Sequence, residues 1–163
     1  MGRTVLDTAT DASAPELRAA GPGDLDAVVD LLTGVFLDDP LMSAIAAAAP
    51  EPRAALGHLH RVELAAHYLA ADPAARADSR VDLAVDAASG DPLGVALWDA
   101  PSSTDVVGPL GPGNESPPGL DLDLLGGAWE LCLADAAQCE AHRPAEPHWY
   151  LYMIAVAPEA RGT

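Results

Sequence analysis

The run Trp149-Tyr150-Leu151-Tyr152-Met153-Ile154-Ala155-Val156 limits the choice of fold more than any other stretch of this chain. It lies between Pro147 and Pro158. It is far shorter than the ~20 apolar residues a membrane-spanning helix needs, and it has the length and composition of a strand. Alternation places Trp149, Leu151, Met153 and Ala155 on one face and Tyr150, Tyr152, Ile154 and Val156 on the other. With both faces apolar, the expectation is a central strand with cover on each side. Central strands of open α/β sheets carry ligand sites at their carboxyl ends. Here that end reads Ala-Pro-Glu-Ala-Arg161-Gly162-Thr163. Gly162 allows the backbone to approach a ligand closely, successive N–H groups can form a concave anion nest, and Arg161 is the cation at hand.

Charge sharpens that reading. The 163 residues carry 25 acidic and 8 basic side chains, a formal charge of −17. Such a surface repels phosphate backbones and no basic patch offsets it, so nucleic acid is excluded as a partner. A phosphorylated ligand would have to be held by local backbone dipoles and one guanidinium, whereas cationic amines are drawn to the surface. The length suits one domain, half of it hydrophobic with only 4% aromatics, so the core is expected to be small and aliphatic. Residues 1–15 lack an apolar signal core. They read as a flexible polar tail on a cytoplasmic protein with no membrane partner, and the domain occupies 16–163.

Strand character at 15–20 gives way to a helix over 22–37, with Leu25, Val28, Val29, Leu32 and Phe36 at helical spacing. Asp38-Asp39-Pro40 closes it. A short helix follows at 41–49, and a longer one over 53–71 buries Leu59, Val62, Ala66 and Leu69. On another face of that helix His60, Glu63 and His67 stand three and four residues apart, a spacing open to a metal, a proton relay or a solvated polar face. The segments 80–87 and 92–100, joined by Ala-Ser-Gly-Asp, read as a hairpin. The Pro- and Gly-rich stretch 101–119 reads as a long irregular loop or flap. A helix over 120–142 is expected to bury Leu125, Trp129, Cys132, Ala136 and Cys139. Its two thiols lie ~10.5 Å apart along the axis, beyond the ~7 Å a disulfide allows, so both are expected buried and free. Cys139 and His142 alone do not make a metal site. The order strand, helices, hairpin, helix, strand defines an α/β (α+β layered) domain in which helices cover a small sheet.

The segment Ile154–Thr163, "IAVAPEARGT", resembles the strand and pyrophosphate turn of the GNAT superfamily of acyl-CoA-dependent N-acetyltransferases, in which Gln or Arg precedes a Gly-x-Gly or Gly-x-Ala turn. The approach "HRPAEPHWYLYMIAV" and the blocks "VALWDAP" and "VFLDDP" are similar to the puromycin N-acetyltransferase-like branch. The resemblance implies a GNAT-like mixed sheet covered by helices, of which the chain holds the N-terminal part. It implies acetyl-CoA as cosubstrate, with Ile154, Ala155 and Val156 along the pantetheine arm and Arg161, Gly162 and Thr163 at the pyrophosphate. It further implies acetyl transfer to a primary amine of a small molecule, with Asp38, Asp39 and Trp149 bordering the acceptor and no metal. The family's later strand and its thiolate-protonating tyrosine have no match here. Tyr68, Tyr150 and Tyr152 are not assigned that role, and no catalytic residue is assigned. The chain is therefore expected to be a fragment cut within the pyrophosphate motif, inactive alone, with a free apolar edge along 148–156. The alternative is a non-catalytic acyl-CoA-binding or interaction module of the same fold.

Overall fold

A computed structural model describes residues 14–101, 117–144 and 146–162. Thr163 and most of the loop read at 101–119 fall outside the described residues.

Four strands form one sheet in the order β1 (Glu16–Ala19), β2 (Ser79–Val85), β3 (Pro92–Asp99) and β4 (Tyr150–Val156), each pairing antiparallel with the next. The hairpin β2–β3 turns through Asp86, whose carboxylate accepts from the N–H groups of Ala88 and Ser89. Helices cover one side: α1 (Leu25–Phe36), α2 (Pro40–Ala46), α3 (Pro52–Glu63), the single-turn α4 (Leu122–Leu125) and α5 (Ala128–Ala141). This is the layered α/β arrangement expected from the order of elements, although the described sheet is antiparallel throughout and not mixed.

The starts of α2, α3 and α4 have local causes. Pro40 and Pro52 occupy first-turn positions, where no backbone N–H is needed. Asp39 accepts from Leu41 N and Met42 N, and Asp121 accepts from Asp123 N and Leu124 N. The core divides in two. Val28, Val29 and Leu32 of α1 pack with Val81, Leu83, Val95 and Leu97 of the sheet. Ile45, Ala55, Leu59, Leu125, Trp129 and Cys132 pack helix against helix.

Three expectations need correction. The single helix over 120–142 is broken at Gly126, which has φ +52°, and a Cβ there would lie 3.0 Å from Pro50 Cδ. Leu125, Trp129 and Cys132 are buried as expected, but Ala136 is half-buried and Cys139 is exposed, because the cavity opens along that part of α5. The 53–71 helix is regular only to Glu63. Leu64–Tyr68 is a π turn closed by Leu69 N to Leu64 O at 2.7 Å, which adds one residue and shifts the phase. Finally, β4 is an edge strand of the described sheet, not a central one. Leu151, Ile154 and Val156 stand exposed, Ile154 at 58%, so the free apolar edge foreseen along 148–156 is present.

Candidate active site

A cavity of about 410 Å³ opens between α1, α2, α3, α5 and β4. Phe36, Leu41, Met42, Ile45, Leu59 and Met153 make its walls apolar, and His60, Glu63, Tyr150 and Tyr152 add polar groups. Two irregularities converge on it. The π turn after α3 leaves both Glu63 and Tyr68 buried, five positions apart. In β4 the register shifts so that Leu97 faces Met153 while Trp98 faces Leu151, leaving Tyr152 as the extra residue of a bulge. Both Tyr152 and Met153 then pack against the sheet core.

Tyr152 Oη donates to Glu63 Oε1 at 2.5 Å and stacks on Tyr68 with ring centroids 5.6 Å apart. Tyr68 Oη in turn donates to Asp99 Oδ1 at 2.8 Å, and Arg143 reaches Asp99 Oδ2 at 3.5 Å while lying 4.2 Å over the Tyr150 ring. Asp99 is fully buried, so its charge is met by one hydroxyl and one guanidinium.

Burial sets the protonation of these groups. Desolvation raises the Glu63 carboxyl to about 7, outweighing the bond from Tyr152, and the nearby Asp99 pushes the same way. Burial pushes Tyr152 and Tyr68 well above the ordinary phenol range, so both are hydroxyl donors. Burial raises the Asp99 carboxyl, against the pull of Tyr68 and Arg143. His60, also inside, is lowered to about 4 and is neutral. Cys132 is raised to about 11 and is an inert thiol.

The His60, Glu63, His67 face is therefore not solvated at its first two positions: His60 and Glu63 are core residues, and His67 is half-buried. Among the described residues no three His, Cys, Asp or Glu side chains group as metal ligands.

Asp39 lines the cavity, but its carboxylate is committed to capping α2. Asp38 is exposed. Trp149 is 55% exposed and is not among the cavity residues; Tyr150 takes that place. Ile154 borders the cavity from β4. Ala157 N donates to Leu93 O at 2.8 Å, so by alternation the N–H of Ala155 also points into the ladder. Those of Ile154 and Val156 point to the open edge. Arg161 Nε donates back to the outward carbonyl of Val156 at 3.1 Å, and Gly162 follows with φ +75°, where an added Cβ would meet nothing within 4 Å. The sequence reading missed Glu63 as a buried acid and missed Tyr152, Tyr68, Asp99 and Arg143 as its company. The only signal was the three-residue spacing of His60 and Glu63.

The fold so assembled is a four-stranded antiparallel sheet under helices, with the last described strand leading into a glycine turn. Among solved structures the chain is similar to the "histone acetyltransferase HPA2 and related acetyltransferase" of Corynebacterium glutamicum. The match has a TM-score of 0.54 and 23% identity, over 92% of this chain and 64% of that one. The likeness is one of fold, and the chain spans about 64% of that protein's length. No protein-family model matches the chain, and no curated protein matches it. Among the described residues no helix is long and apolar enough to cross a membrane.

Proposed function

We propose that this chain belongs to an N-acetyltransferase that moves an acetyl group from acetyl-CoA to a primary amine of a small molecule. The observation that carries the reading is Glu63: a buried carboxyl titrating at about 7 on the wall of an apolar cavity that Ile154 of β4 also borders. A primary amine must lose a proton to become a nucleophile, and a base whose pKa lies near working pH does this best. Tyr152, as a hydroxyl donor, holds one carboxylate oxygen of Glu63 and leaves the other for the ammonium.

The open edge of β4 fits the donor. Outward N–H groups at Ile154 and Val156 suit an extended amide-bearing arm, and Arg161 with Gly162 suits a pyrophosphate. Acetyl-CoA, when bound, would supply the thioester carbon: a C–N bond forms as the C–S bond breaks, and of the two protons the ammonium nitrogen loses, one passes through Glu63 to solvent and the other ends on the departing thiolate as CoASH. The puromycin N-acetyltransferase-like branch and a cytoplasmic setting are part of this reading.

The test is amine-dependent release of CoA by the full-length protein across an amine panel, with Glu63→Gln as the control. Release with hydroxyl or thiol acceptors only, or equal release by the variant, overturns the assignment. The second reading, a non-catalytic acyl-CoA-binding module, predicts acetyl-CoA binding with no release for any amine.

A further inference from the structure

The cavity wall holds a buried, unpartnered polar group that the reaction does not use. His60 is 1% exposed and is one of the cavity residues. Its Nδ1 is 3.3 Å from Thr33 Oγ1, and its ring lies 5.8 Å from Phe36. Nothing among the described residues bonds its Nε2. Buried polar atoms are almost always satisfied, and one left alone in an apolar wall weakens the fold unless a ligand meets it. The ring is neutral, so a group meeting it gains a hydrogen bond and no ion pair.

Other charges restrict what that group can be. Asp39, Asp135 and Glu140 line the same cavity, and its one cation among the described residues, Arg143, is set against Asp99. A ligand carboxylate would meet like charge with no free cation. His60 and Glu63 are three residues apart on α3, so their side chains start about 5–6 Å from each other on one face. An acceptor that touches both carries two separate polar groups.

We infer that His60 is a specificity-determining residue, and that the acceptor is an apolar primary amine carrying a second, neutral hydrogen-bonding group, such as a hydroxyl. This rests on the acetyltransferase reading for the amine's fate but not for its binding. A site that hydrogen-bonds a substrate hydroxyl discriminates strongly against the analogue lacking it, because the buried partner is then left unpaired.

The test is equilibrium binding to the full-length protein with three probes: 3-amino-1-phenylpropan-1-ol, its deoxy analogue 3-phenylpropan-1-amine, and the carboxylate 4-amino-2-phenylbutanoate. The alcohol is expected to bind about tenfold tighter than either of the others. His60→Leu is expected to abolish the preference for alcohol over deoxy compound, and His60→Gln to restore part of it. Nitrogen NMR of the His60 ring is expected to shift with the alcohol and not with the deoxy analogue, a readout that does not depend on any variant folding. Equal affinities in the wild type, a preference surviving His60→Leu, or tight binding of the carboxylate each overturns the inference. CoA release with the same probes is measured in parallel. Preferential binding without release leaves the His60 contact standing and removes the transferase reading; release without preference does the reverse.

Discussion

Between Tyr150 and Met153, β4 is engaged by side chains from three other elements; from Ile154 to Gly162 it offers mainly backbone. In the first half Tyr152 meets Glu63 and Tyr150 meets Arg143, across 89 residues in the former case. In the second half Ile154 and Val156 are exposed, and Arg161 bonds back to the carbonyl of Val156. One strand therefore offers two kinds of chemistry. The enclosed half works through desolvated acids and hydroxyls, whose strength depends on burial. The open half works through N–H groups and a glycine turn, whose strength depends on position alone.

The largest effect tests the enclosed half. Glu63→Gln keeps the shape and an oxygen to accept from Tyr152 but cannot take a proton. Amine-dependent CoA release by the full-length protein should fall by about 10²–10⁴-fold, with acetyl-CoA affinity unchanged. A fall confined to acetyl-CoA affinity would show that the two halves are not separable. Next in size is Asp99→Ala, which leaves Arg143 and Tyr68 without their shared partner in a buried setting. A loss of about 3 kcal/mol in urea unfolding is expected, with Asp99→Asn losing less because it still accepts from Tyr68. A loss near zero would mean that Asp99 does not organise the enclosed half.

How far the two halves could be read from residues alone differs for a physical reason. The open half is contiguous: Arg161, Gly162 and the strand before them are neighbours in the chain, so the turn was legible from its order. The enclosed half is assembled from α3, its π turn, β3, the end of α5 and a bulge in β4. No periodicity announces a π turn or a bulge, and each moves the side-chain phase by one residue. Glu63 read as part of a polar face because spacing does not record that α1 and β4 meet that face of α3, and Ala136 and Cys139 were assigned to the core because spacing does not record that a cavity opens along that face of α5. The hairpin and the layer order were legible because turn residues and apolar alternation act locally. The edge position of β4 was not, since an apolar run records that cover is needed but not which element supplies it.

Acid and base titration distinguishes the two buried groups on α3, and they pull in opposite directions. The folded pKa of Glu63, about 7, lies above its ordinary 4.5. Its protonated form thus stabilises the fold, fully below pH 4.5 and progressively less as pH rises through 7. The folded pKa of His60, about 4, lies below its ordinary 6.5, so its contribution is present above pH 6.5 and lost as pH falls through 4. Between pH 4.5 and 6.5 the slopes oppose, each at most about 1.4 kcal/mol per pH unit, and the wild type should be nearly flat. In His60→Leu stability should decline with pH between 4.5 and 7; in Glu63→Gln it should climb between 4 and 6.5. Urea midpoints at stepped pH decide it. A variant as flat as the wild type would remove the corresponding group from the enclosed half.

The smallest effect belongs to the open half. Gly162 sits at φ +75°, and a Cβ there would meet no atom within 4 Å. Gly162→Ala therefore brings backbone strain without a clash, about 1–2 kcal/mol for an L-residue held in the left-handed region. The turn packs against nothing buried, since Arg161 and Gly162 are both exposed. It can relax out of that conformation, so the melting temperature should stay within a degree or so. Binding cannot escape in the same way, because a backbone nest works only in the conformation that aims its N–H groups at the ligand. Acetyl-CoA affinity should weaken by about tenfold, with the amine's affinity for the cavity untouched. A change of equal size in both affinities would mean that the glycine turn supports the cavity rather than the nucleotide, and the division of β4 into two halves would fail at that point.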